Sequence, residues 1–223
     1  IRKRYVAGGI RIASIGDDVD LTYPYENLGN NVSILKNLSV GKGDFAKILK
    51  NAEHPMLIIG QGALTRNDGA AILDLARTTA NKLGMIDENK GWNGFNLLHT
   101  AAARVGGLDL GFVPGSNGRD VASILEGAES GDIKAVYLLG ADEINTLKLN
   151  DAFVIYQGHH GDVGAHCADV ILPGAAYTEK SGTYVNTEGR AQVGRLAVFP
   201  PGEAREDWTI IRALSEVIGK RLP

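Results

Sequence analysis

Along this chain, one short apolar run after another stops at a glycine. Arg11 to Ile15 is closed by Gly16, Met56 to Ile59 by Gly60, Val136 to Leu139 by Gly140, Phe153 to Gln157 by Gly158, and Val170 to Leu172 by Pro173-Gly174. Runs this short suit strands better than buried helices. Because most are continuously apolar and do not alternate, they predict strands buried on both faces, as in a parallel sheet covered by helices. The 29 glycines among 223 residues are about twice the usual ~7%, as repeated tight turns require.

Amphipathic segments separate these runs. In Asp68 to Leu83, residues Ile72, Leu75, Ala76, Ala80 and Leu83 recur at helical spacing, with Asn67 or Asp68 as the cap and Gly84 as the stop. Phe95 to Val105 places Leu98, Ala102 and Val105 on one face, which predicts a helix ended by Gly106-Gly107. Val121, Ile124, Leu125 and Ala128 predict another before Gly131, and a last one is expected from about Asp207 to Ile218. Strands alternating with helices predict an α/β fold with a doubly wound, mostly parallel sheet and helices on both faces. The expected organisation is a lead-in at 1–54 with one strand and one short helix. An α/β core with a C-terminal hairpin follows at 55–192, then a closing segment and helix at 193–223.

Composition narrows the function. The single Cys167 supplies neither a disulfide nor the thiolates of an iron-sulfur cluster. A net charge of −3 gives no electrostatic reason to bind nucleic acid, and runs such as Ala135 to Ala141 fall far short of the ~18 residues of a membrane span. The opening Ile1-Arg2-Lys3-Arg4 has no initiator Met and no targeting pattern, so an internal fragment is expected.

Three groups of residues invite a chemical reading. Gly60-Gln61-Gly62 sits between a strand and a helix, as a dinucleotide loop would, but Thr65 holds the third glycine position and no acidic strand end follows at the expected spacing. His159, His160, Asp162, His166, Cys167 and Asp169 contain enough ligand types for zinc or iron. Adjacent histidines do not readily face one ion, so a polar network at the strand end is the favoured reading. Glu179, Lys180, Glu188 and Arg190 flank an expected hairpin, Thr183 to Val185 and Arg190 to Val193, whose turn puts Gly189 at positive φ. Acid-base work by these charges competes with ordinary surface pairing, which is the favoured reading. No phosphate-binding lysine loop and no nucleophile elbow is present.

The stretch Leu172-Pro173-Gly174-Ala175-Ala176-Tyr177-Thr178-Glu179-Lys180-Ser181-Gly182-Thr183-Tyr184-Val185-Asn186-Thr187-Glu188-Gly189-Arg190 resembles the molybdopterin oxidoreductase superfamily. Val154-Ile155-Tyr156-Gln157-Gly158-His159-His160-Gly161-Asp162, Ala204-Arg205-Glu206-Asp207-Trp208 and Arg66-Asn67-Asp68-Gly69-Ala70-Ala71-Ile72-Leu73 are similar to one branch, the large iron-sulfur subunits of respiratory NADH:ubiquinone oxidoreductase, complex I. The resemblance covers essentially the whole chain. It implies a formate dehydrogenase-like domain lacking its cofactor, with no catalytic, cofactor-binding or metal-binding residue in this chain and with the iron-sulfur clusters in an N-terminal part of the subunit. It also implies a continuation past Pro223. The implied role is structural, beside other subunits of the peripheral arm, touching the membrane only through the complex. The implied location is the matrix side of the mitochondrial inner membrane or the cytoplasmic side of a bacterial one. The alternatives are a molybdopterin-binding oxidoreductase domain and a stand-alone interaction module.

Overall fold

The computed structural model describes residues 1–222. The chain divides into two compact units, Ile1–Ala101 and the residues from Ala102 onward. The division expected after residue 54 therefore falls inside the first unit, and that expected after residue 192 inside the second.

The first unit runs α1 (Arg2–Val6), β1 (Ala13–Ser14), β2 (Glu26–Asn27), α2 (Val32–Ser39), α3 (Asp44–Asn51), β3 (Leu57–Gly60), α4 (Gln61–Leu64), α5 (Gly69–Lys82), β4 (Ile86–Asp87), β5 (Trp92–Asn93) and β6 (Phe95–Leu98). Its opening is richer than the single strand and short helix expected. Asn31 caps α2 by accepting from the Ser33 amide at 2.8 Å. Gly41 and Gly43, both at positive φ, turn the chain into α3, so that Leu38, Phe45 and Ala46 bury together. In α5 the buried Ile72, Ala76, Thr79 and Ala80 form one helical stripe. A Cβ on Gly69 would strike the Leu64 backbone, which fixes glycine where α4 turns into α5.

The segment expected to be helical from Phe95 is strand β6, paired in parallel with β3 at Leu57↔Phe95 and Ile59↔Leu97. Local geometry favours this. The Asn93 side chain accepts from the Phe95 amide at 3.1 Å, and Gly94 lets the chain pass against the Pro55 carbonyl. Pairing with β3 thus overrides a helical spacing that was coincidental.

The second unit runs α6 (Arg104–Asp109), α7 (Val121–Glu129), β7 (Ala135–Leu139), a 3-10 turn (Thr146–Leu149), β8 (Phe153–Gly158), α8 (Val163–Cys167), β9 (Val170–Pro173), β10 (Gly182–Val185), β11 (Ala191–Gly194) and α9 (Asp207–Val217). Strands β7, β8 and β9 form a parallel sheet in register Leu138↔Tyr156↔Ile171. Val136, Leu138, Val154 and Tyr156 share one face and bury against Ala128 of α7 and Leu149. On the alternate positions Ala135, Leu139 and Phe153 stay exposed while Gln157 is buried, so the second face is covered only in part within this unit.

The content is mixed α/β with parallel sheets. One doubly wound sheet is not what forms among the described residues: parallel pairing is split among β1-β2, β3-β6 and β7-β8-β9, with antiparallel pairs at β4-β5 and β10-β11. The hairpin β10-β11 has the expected turn, with Gly189 at φ +82°. Asn186 holds that turn, its side chain accepting from the Glu188 and Arg190 amides at 3.2 and 2.9 Å.

Candidate functional site

In a parallel sheet the strand carboxyl ends are where ligands gather, and in the second unit that edge is crowded. The Tyr156 ring, 5% exposed, lies between two glycines. A Cβ on Gly158 would land on its hydroxyl and one ring edge, and a Cβ on Gly164 would come within 2.6 Å of the other. These glycines therefore make room for this chain's own tyrosine.

Next to it runs a half-buried polar chain centred on Gln157. Gln157 has no exposed surface, and a polar side chain that deep must be hydrogen-bonded. The Tyr137 hydroxyl donates to its carbonyl oxygen, and its amide donates to Asp207 Oδ1 at 2.9 Å. The other Asp207 oxygen pairs with Lys180. Asp207 is the first residue of α9, where a carboxylate also complements the helix dipole. Glu206, one residue earlier, accepts from the Ser181 amide at 3.1 Å and the Trp208 indole at 2.7 Å, contacts that hold its carboxyl below the usual range, Trp208 first.

Backbone completes the closure. The Arg205 amide donates to the Pro173 carbonyl at 3.1 Å and the Ala175 amide to the Arg205 carbonyl at 2.8 Å. A Cβ on Gly174 would sit 3.1 Å from Asp207 Oδ1. Burial raises the Tyr137 phenol, with the Asp207 charge adding to it, so this hydroxyl stays protonated as a donor. The arrangement ties α9 and the segment after β9 to the sheet edge. Its one amine, Lys180, is ion-paired.

The residues singled out from sequence fall around this edge. His159 and His160 are exposed and pack edge to face, ring centroids 4.4 Å apart. They are not members of the polar network, which exists but is built from Tyr137, Gln157, Lys180 and Asp207. Asp162 and His166 are exposed. Cys167 donates to the Gly164 carbonyl at 3.3 Å, its thiol pushed up by burial. Asp169 accepts from the Val154 amide at 2.8 Å. Among the described residues no three His, Cys, Asp or Glu side chains converge as metal ligands would. Glu179 accepts from the Ala176 amide at 2.9 Å, and Glu188 pairs with Arg190 at 3.1 Å on the surface. Gln157 was the readable signal that was missed, as a polar residue ending an apolar run. Asp207, 50 residues away, had no local signature.

In the first unit, Gly60 and Gly62 border a cavity of about 660 Å³. The Gln61 amide lies 3.2 Å from His99 Nδ1 at the end of β6.

A sequence model of the molybdopterin oxidoreductase family matches residues 1–217. The NADH-ubiquinone oxidoreductase 75 kDa subunit of Reclinomonas americana is 50% identical over 223 residues, covering all of this chain and 31% of that protein. The mitochondrial NADH-ubiquinone oxidoreductase 78 kDa subunit of Candida albicans is 48% identical over 224 residues, covering 100% of this chain and 29% of that one. An NADH-quinone oxidoreductase subunit of Rickettsia typhi is 46% identical over 215 residues, covering 96% of this chain and 30% of that one. The chain spans about three tenths of the length of these relatives.

Proposed function

The chain belongs to the molybdopterin oxidoreductase family, and we propose that it is a structural, non-redox portion of the large iron-sulfur subunit of complex I. In this reading it supports electron transfer from NADH to quinone by clusters carried elsewhere in the subunit. It contributes no catalytic residue of its own. Its finer architecture is that of a formate dehydrogenase-like domain that has lost its cofactor.

One observation carries the reading: at the carboxyl edge of β8 and β9 the space beside Gly158, Gly164 and Gly174 is taken by the chain's own side chains. A metal-bearing pterin nucleotide, the group that the family implies, does not fit these residues. Tyr156 takes up the room beside Gly158 and Gly164, and Asp207, itself paired with Lys180, lies against Gly174. What remains is a clamp that holds α9 to the sheet, a scaffold's task.

Partners in this reading are other subunits of the peripheral arm. Among the described residues no helix is long and apolar enough to cross a membrane, and attachment to the matrix side of the mitochondrial inner membrane, or the cytoplasmic side of a bacterial one, runs through those partners. The test places Asp207→Ala, and the milder Asp207→Asn, in the full-length subunit. Less assembled complex with unchanged turnover per flavin is expected. Normal assembly with depressed turnover overturns the scaffold reading, and stoichiometric molybdenum or tungsten in the purified subunit overturns the loss of cofactor.

A further inference from the structure

Gly60 and Gly62 are glycines for which the fold has no use. Gly60 sits at φ −82° and ψ 153°, which any residue adopts. Gly62 lies within α4 away from positive φ, and a Cβ on either would meet nothing within 4 Å. Close approach of a ligand to the backbone is one reason for a glycine that neither conformation nor packing requires, and at these two positions a cavity lies alongside. Both residues border the first unit's cavity of about 660 Å³, inside the range of ~300–1,000 Å³ typical of small-molecule pockets.

The walls and the mouth specify the ligand. Leu35, Phe45, Ile59, Ile72 and Met85 line the interior, so the body of the ligand is apolar. Asp17, Asn30 and Arg66 line the polar part. Arg66 is the one basic residue among the described lining residues, and Asp68 already engages its guanidinium through hydrogen bonds of 2.7 and 3.0 Å. Asp17 is left with a weak contact from the Asn30 amide at 3.4 Å. The mouth thus carries a carboxylate that no lining cation balances, and a phosphate or carboxylate head is repelled. We propose that this cavity binds a small apolar molecule with an uncharged polar head, its body against the aliphatic wall and its head between Asn30 and the Gly60–Gly62 backbone. The proposal does not rest on the scaffold reading of the second unit.

The test is a titration of the 223-residue chain with N-phenyl-1-naphthylamine, a neutral apolar fluorophore. Competitors are 1-octanol, octanoate and guanosine diphosphate. Saturable binding at one site per chain is expected, displaced by octanol at concentrations about tenfold below those of octanoate and untouched by the nucleotide. Gly62→Leu, which places a side chain in the open space, should weaken binding by about tenfold or more at an unchanged melting temperature. Should that variant fail to fold, Asp17→Lys on the exposed rim decides, since it should reverse the preference in favour of octanoate. Absence of saturable binding, displacement by the nucleotide, an initial preference for octanoate, a folded Gly62→Leu with parental affinity, or an Asp17→Lys with unaltered head selectivity would each overturn the proposal.

Discussion

Gly158→Ala separates a strand-end glycine kept for packing from one kept for a ligand. The added methyl lands on the Tyr156 hydroxyl and comes within 2.6 Å of Cε1. The ring has little room to retreat: it is 5% exposed, and its opposite edge already lies against Gly164. Either Tyr156 leaves its rotamer or β8 shifts against β9, and overpacking of that kind costs ~1–3 kcal/mol. Gly60→Ala is the matched control. Its methyl meets nothing within 4 Å and its backbone suits alanine, so the smaller entropy of the unfolded chain should make it neutral or stabilising by up to ~1 kcal/mol. Urea unfolding at neutral pH measures both. Tyr156→Leu in the Gly158→Ala background should cost less than the same change in the parent, because the leucine removes the atoms in conflict. If Gly158→Ala proves as mild as Gly60→Ala, Tyr156 does not fill that space and the scaffold argument loses its main support.

Asp207→Ala strips the fully buried Gln157 amide of its 2.9 Å acceptor and should lower stability by ~1–3 kcal/mol, with Asp207→Asn recovering part because it keeps a carbonyl for Gln157. At Gly189 an added Cβ meets nothing within 4 Å, but Gly189→Val must adopt φ +82°, so a loss of ~1–2 kcal/mol from backbone strain is expected in the same unfolding measurement. Burial holds the Tyr137 and Tyr156 phenols above their usual range, with nearby carboxylates adding to it. Each contributes stability that is whole below the unfolded value of ~10 and declines as pH rises above it toward the folded one. The urea midpoint should therefore fall from about pH 10 upward, and Tyr137→Phe should flatten that fall; an identical alkaline profile in the variant would contradict the assignment.

The strands β3, β7, β8 and β9, the helices α5, α7 and α9 and the hairpin were legible because their determinants are local: a run, a stripe, a stop. Where pairing between distant segments decides, sequence reading fails. Phe95–Leu98 has helical spacing yet is a strand, since β3 offers it a parallel partner. Continuous apolar runs suggested one two-sided sheet, but apolar content does not say which strands adjoin, and the pairing is divided among separate sheets. At the candidate site the sequence placed polar residues at the end of β8 and chose the wrong ones. His159 and His160 advertise chemistry but face outward, whereas Gln157 is enclosed because its partners come from β7, α9 and Lys180.

The hydrogen bond from Gln157 to Asp207 spans 50 residues, and that separation orders events during synthesis. Strands β7, β8 and β9 leave the ribosome well before α9 does. Until Asp207 arrives, the nascent sheet holds a glutamine whose amide has no acceptor at its depth, so the edge stays hydrated and loosely closed. Helix α9 therefore completes the second unit: a chain that stops short of Asp207 leaves the Gln157 amide without its acceptor and the sheet edge without its closing helix.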